Sequence, residues 1–167
     1  TKEAHELFQR LEFKNLLGRF DVEASVNDVE KYFREVTGKE EIEKVFKEAE
    51  KAETVGAAFS KDAGNVLPLF AHASGYGRVS LCYEAEKIVT IPCDMDADFE
   101  YLTGKLSHLA KSVKRFSMCG LKEYLEWLPE LTSENGFDAI VAAYLLNPLK
   151  NDYNAEDVAR EHLNILI

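Results

Sequence analysis

The chain has no apolar run near the roughly 18 residues that a membrane-crossing helix needs, so no span is expected. No apolar secretory core follows the opening TKEAHELFQR, so a signal peptide is not expected and a cytoplasmic location is. The first residue is Thr1 instead of Met, which reads as an excised piece of a longer protein. Cysteine is scarce: Cys82, Cys93 and Cys119 are far apart and odd in number, which argues against a disulfide framework and for reduced thiols. There is no C-x-x-C pair, and His5, His72, His108 and His162 are scattered, so zinc-ligand spacing is missing. Positive charge is also short, with 20 Lys and Arg against 30 Asp and Glu and a net charge of -10. Phosphate contacts supply much of the affinity of DNA-binding proteins, so this chain alone is expected to hold DNA weakly or not at all. Its nearest basic cluster, Lys111, Lys114 and Arg115, reads as the solvated side of a strand and its entry turn.

Local chemistry is thin as well. No Gly-rich phosphate loop and no locally supported Ser-His-Asp order is present. DMDADFE at 94–100 imitates the start of a calcium loop. However, Phe99 stands at the sixth position instead of Gly, and Lys105 at the twelfth instead of Glu. The run reads instead as favourable negative charge at a helix N-terminus.

What remains is patterning. At 167 residues and 46% hydrophobic, the chain is long enough for one domain with a sizeable core plus an appendage. Residues 3–17 form an amphipathic pattern through Ala4, Leu7, Phe8, Leu11 and Leu16, closed by Gly18. Phe13 and Leu17 lie off that stripe, so the predicted helix needs a partner. Residues 19–31 are acidic and aperiodic, as in a linker. YFREV at 32–36 can extend into the next element, and Thr37 with Glu40 has the form of a capping box. The helix behind it runs to about Ala52, with Ile42, Val45, Phe46 and Ala49 on one face.

Further on, TVGAAFS (54–60) reads as a strand and 61–77 as loop. VSLCY (79–83) and KIVTIP (87–92) form a hairpin around EAE. Phe99, Leu102, Leu106 and Leu109 mark a helix, SVKRFSM (112–118) a strand, and Leu121–Trp127 another helix. The run FDAIVAAYLLNPLKNDYNAEDVAREHL (137–163) gives two helices with readable ends. Asp138 caps the first and Asn147-Pro148 stops it; Asn154 caps the second, with Asp157 at its third position. AIVAAYLL is apolar almost all round and is expected to be buried. The order of elements gives an α/β class, a mixed sheet flanked by helices.

That last run resembles the 3′–5′ exonuclease domain of bacterial family A DNA polymerases, the DNA polymerase I family. There a segment of the type F-D-T-M-L-A-A-Y-L-L-D-P precedes a capped helix. ELFQRLEFKNLLGRF, at the other end, is similar to the last helix of the 5′-nuclease domain in the same polymerases, where E-L-x-x-x-L-E-F-K-S-L-L recurs. The resemblance is specific at residues 6–17 and 137–163 and rests on pattern between them. It implies a ribonuclease-H-like exonuclease fold. It also implies a division into residues 1–20 (C-terminal helix of the 5′-nuclease domain), 21–36 (linker) and 37–167 (exonuclease-like domain, cut before its third motif). DNA would be met through the parent polymerase, with the polymerase and 5′-nuclease domains as partners in the same chain and Mg in the polymerase site.

Exonucleases of this family hydrolyse a phosphodiester with two divalent metal ions held by carboxylates. The first motif, D-x-E on the first strand, aligns with AAFSKD. Ser60 then stands at the Asp position and Asp62 at the Glu position. Serine is neutral and cannot bridge two cations; Asp62 otherwise reads as a solvated loop carboxylate. The second motif ends in an Asp after a later strand, and here Gly120 takes that place. Glycine offers no ligand and reads as a strand-to-helix turn. Cys119 beside it is a soft donor that Mg²⁺ does not favour. The third motif, a Tyr and an Asp four residues apart, is expected beyond Leu163.

With Ser60, Asp62 and Gly120 as vestigial positions, the resemblance implies a catalytically inactive, metal-free scaffold domain. Two alternatives are a residual metal-dependent exonuclease built on Asp62, and an acidic protein-interaction domain whose N-terminal helix docks on a partner.

Overall fold

The computed structural model describes residues 29–163 apart from 62–66, 68, 71, 74 and 151. The expected helix over residues 3–17, Asp62 and most of the expected linker therefore lie outside the described residues.

A short 3-10 turn (Val29–Tyr32) leads into strand β1 (Phe33–Glu35), inside the stretch read as linker and YFREV extension. Helix α1 (Lys39–Ala49) follows, burying Ile42, Val45, Phe46 and Ala49 as the spacing predicts. Its start differs from the expected capping box. Gly38 is the N-cap at φ 82° and no side chain caps the helix, which leaves Thr37 one residue too early to serve. The positive φ turns the chain sharply away from Val36, which is buried and tied to the Thr90 carbonyl at 2.9 Å.

Strands β2 (Thr54–Lys61), β3 (Tyr76–Glu84) and β4 (Lys87–Pro92) form an antiparallel meander. Helix α2 (Phe99–Ser112) then returns the chain to β5 (Arg115–Met118), which pairs parallel to β2. The α2 N-terminus is fixed by Asp98, whose carboxylate accepts the Tyr101 N–H at 2.8 Å. Asp94 accepts the N–H groups of Asp96 and Ala97 just before it. The acidic run thus serves turns and a cap. Leu102, Leu106 and Leu109 of α2 are fully buried, each contributing about 2 kcal/mol by area.

Leu121–Trp127 is helical as expected but of the 3-10 type, and it leads to a strand that the sequence reading missed, β6 (Gly136–Asp138). A Cβ at Gly136 would sit 3.1 Å from the Thr132 carbonyl oxygen, a tight contact that any side chain there would have to relieve by shifting a neighbour. Helices α3 (Ala139–Leu146) and α4 (Ala155–Leu163) are the last described elements. The six strands run β1-β4-β3-β2-β5-β6, with β1 parallel to β4 and β2, β5 and β6 mutually parallel.

One face of the sheet carries the core. Val55, Ala57 and Phe59 of β2, Val79 and Leu81 of β3, Val89 and Ile91 of β4 and Phe116 and Met118 of β5 meet α1 and α2 there. The register defines the other face. Phe33 pairs with Ile88, Ile88 with Cys82, Cys82 with Gly56, Gly56 with Ser117, and Ser117 with Phe137. Directly opposed residues share a face, so this row crosses the whole sheet with small residues at its middle and an exposed phenylalanine at each end. Parallel strands are commonly covered on both faces; among the described residues this face is left open.

Candidate functional site

Parallel neighbours end at the same edge of a sheet. Ser60 near the end of β2, Cys119 and Gly120 after β5, and Asp138 at the end of β6 therefore gather at one edge. In open α/β sheets, ligands bind beyond the carboxyl ends of such strands. The fold thus brings together the positions that the sequence reading singled out, Asp62 excepted, since it lies outside the described residues.

Ser60 is exposed on the open face and pairs with Arg78 on β3, with an irregularity in the ladder after it. The Arg78 guanidinium reaches the other way, to Glu35 at 3.1 Å. Gly120 adopts φ 70° and ψ 41°, the left-handed region, at the turn from β5 into the 3-10 helix. Its role as a strand-to-helix turn follows from that backbone.

Asp138 organises this edge. Its Oδ1 accepts from the N–H of Ile140 (2.9 Å) and Val141 (3.4 Å), the α3 cap expected from sequence. The same carboxylate accepts the Gly120 N–H (3.1 Å) on Oδ1 and the Leu121 N–H (2.7 Å) on Oδ2. One acidic side chain therefore ties two chain reversals together. The Cys119 thiol is held above its ordinary pKa by burial and then by the Asp138 charge, which keeps it protonated and a poor metal ligand.

Beneath the edge, six rings pack closely. Phe59 lies 5.0 Å from Tyr124, 5.2 Å from Trp127 and 5.7 Å from Phe99 between ring centroids. His72 lies 4.9 Å from both Phe99 and Trp127, and Tyr76 lies 6.0 Å from Tyr124. Burial and a hydrogen bond with Tyr76 push the Tyr124 phenol up to about 12, so Tyr124 offers no ready base. Sequence reasoning missed this cluster because its members come from β2, the loop before β3, β3 itself, α2 and the 3-10 helix.

On the open face, a shallow groove of about 350 Å³ is lined by Thr54, Gly56, Cys82, Tyr83 and Ser117. α3 was expected to be buried and is not. Only Ala143 is buried, while Leu145 and Leu146 are 72% and 73% exposed. An all-round apolar sequence calls for partners on every side, and among the described residues α3 finds them on one.

No protein family and no curated protein matches the chain by sequence. Solved structures do match. The Trypanosoma brucei RNase D superposes with a TM-score of 0.59 at 12% identity, covering 83% of this chain and 50% of that one. The Aedes aegypti Nibbler EXO domain gives 0.54 at 12%, covering 82% and 71%. Escherichia coli RNase D, an exoribonuclease involved in structured RNA processing, gives 0.55 at 12%, covering 81% and 34%. The chain has the ribonuclease-H-like fold of 3′–5′ exonuclease domains. It spans half or less of the length of the two RNase D chains.

A two-metal exonuclease site needs clustered carboxylate oxygens. The described side chains do not fit one. Ser60 brings a neutral hydroxyl, Gly120 brings nothing, and the Asp138 oxygens are engaged by four backbone N–H groups. Among the described residues, no group of three or more His, Cys, Asp or Glu side chains is placed to hold a metal ion. Nor, among them, is any helix long and apolar enough to cross a membrane.

Proposed function

We propose that this chain is the exonuclease-like domain of a DNA polymerase I-type protein, kept as a scaffold after losing its nuclease chemistry. The observation that carries the reading is the pair of strand ends at one sheet edge. The resemblance to family A polymerases puts metal-binding carboxylates at these two positions, and this chain has Ser60 and Gly120 there. Without bridging carboxylates there are no metal ions to stabilise charge on the phosphoryl group, a loss of several kcal/mol in the transition state. The two strings at 6–17 and 137–163 favour a polymerase parent over an RNA-processing one. The open sheet face and the exposed apolar side of α3 suit a domain that packs against other parts of its chain. In this reading DNA contact and Mg belong to the parent polymerase, a cytoplasmic enzyme of replication and repair.

The test is a 3′-exonuclease assay on the full-length parent, with 5′-labelled single-stranded DNA and RNA and with Mg²⁺ or Mn²⁺. Asp62→Ala serves as the control. Neither strand is expected to shorten. Stepwise shortening that Asp62→Ala abolishes would show that a rebuilt metal site survives and that the scaffold reading is wrong.

A further inference from the structure

α3 and α4 pack on one another and touch the sheet through β6. They carry their own internal ties. The Tyr144 and Tyr153 rings meet edge to face at 5.6 Å, Lys150 pairs with Glu161 at 2.8 Å, and the Tyr153 hydroxyl donates to the Asn147 carbonyl. α4 is closed by a reciprocal pair, in which Asn154 Oδ1 accepts the Asp157 N–H (2.8 Å) and Asn154 Nδ2 donates to Asp157 Oδ2 (3.0 Å). The hairpin is thus held together by contacts that do not involve the sheet. At its junction with the body stands Asp138, with two bonds on each side. Ile140 and Val141 belong to the hairpin, Gly120 and Leu121 to the turn after β5.

We infer that α3–α4 is a hinged unit, latched to the body by the Asp138 carboxylate, and that it opens as one piece when the body-side bonds break. Proteins open in cooperative units whose stability depends on how many interactions cross their boundary. Among the described residues, α3 meets the sheet through β6, α4 packs on α3, and the Asp138 side chain supplies bonds across the boundary. The device differs from an ordinary helix cap, because half of its bonds lie 17 and 18 residues away in sequence, outside the helix.

Asp138→Asn removes one of the two body-side bonds and keeps the cap, because Oδ1 still serves Ile140, Val141 and Gly120. The asparagine Oδ1 can still cap α3, whereas its amide nitrogen cannot accept the Leu121 N–H. Amide hydrogen exchange on the whole chain is the readout, for wild type, Asp138→Asn and Asp138→Ala. The latch predicts that exchange across α3, across α4 and at Gly120 and Leu121 quickens together in Asp138→Asn, by about tenfold or more. Exchange in α2, β2 and β3 should stay as in wild type. Wild-type exchange across the hairpin of Asp138→Asn would reduce Asp138 to a cap and overturn the inference. A uniform rise that includes the sheet, or failure of both variants to fold, would overturn it as well, because Asp138 would then support the whole fold.

Discussion

Restoring the missing carboxylate of the second motif by Gly120→Asp should destabilise the protein, by an amount that can be worked from its surroundings. Space is not the obstacle: a Cβ at this position would come no closer than 4.0 Å to the Glu123 carboxyl. The backbone is the first cost. At φ 70° a non-glycine residue pays about 1 kcal/mol, somewhat less for Asp or Asn, which tolerate this region. Charge is the second. The Asp138 carboxylate bonds directly to the Gly120 N–H, and Glu123 lies on the other side. Two like charges about 6 Å apart repel by roughly 0.7 kcal/mol in water and about 2.8 kcal/mol at an effective dielectric of about 20. Glu123 is exposed and Asp138 half-buried, so the lower part of that range applies. Gly120→Asn should therefore lose about 1 kcal/mol and Gly120→Asp about 2–3 kcal/mol. Urea melts near neutral pH for wild type, Gly120→Ala, Gly120→Asn and Gly120→Asp separate the backbone term from the charge term. The Asp–Asn gap should shrink as salt is raised. A Gly120→Asp protein as stable as Gly120→Asn would refute the electrostatic account of this edge.

Two further expectations concern the body and the hairpin. The Tyr101 hydroxyl and the Lys105 ammonium both reach Glu43 Oε1, at 2.5 and 2.6 Å, joining α1 to α2. The hydrogen bond from Lys105 and then that from Tyr101 hold the Glu43 pKa below 4.5. A carboxylate depressed on folding stabilises above its unfolded value, and the contribution fades as pH falls through the folded one. Glu43→Gln should thus cost about 0.5–1 kcal/mol near neutral pH, and the gap to wild type should narrow in urea melts as pH falls below the ordinary Glu value of 4.5. On the hairpin, Leu145→Lys and Leu146→Lys should each change the urea midpoint by less than about 0.5 kcal/mol in stability. Leu102→Ala, at a position with no exposure, should cost about 2–5 kcal/mol. A large loss at Leu145 would mean that the apolar side of α3 is covered after all.

The contrast between α3 and α2 shows which parts of the fold can be read from sequence. Ile42, Val45, Phe46 and Ala49, and likewise Leu102, Leu106 and Leu109, alternate with polar residues, so the pattern names both the helix and its buried side. AIVAAYLL has no polar side, and its composition cannot say whether a partner is present. Caps behave in the same way. Asp98, Asn154 and Asp138 bond within three residues and are legible, while the bonds from Gly120 and Leu121 to Asp138 depend on β5 and β6 lying side by side. β6 itself is three residues long, too short to show a period, and it exists because β5 offers it an edge. The same limit applies to the candidate site. Ser60 and Gly120 could be suspected one motif at a time, but only the parallel pairing of β2 with β5 brings them to a common edge. There the carboxylate closest to Gly120 is already engaged by backbone donors, where metal chemistry would need it free. In the proposed reading, an edge without metal ligands leaves Asp138 to a structural role. An Asp138 committed to two chain reversals fits a domain that, in that reading, binds no cation there.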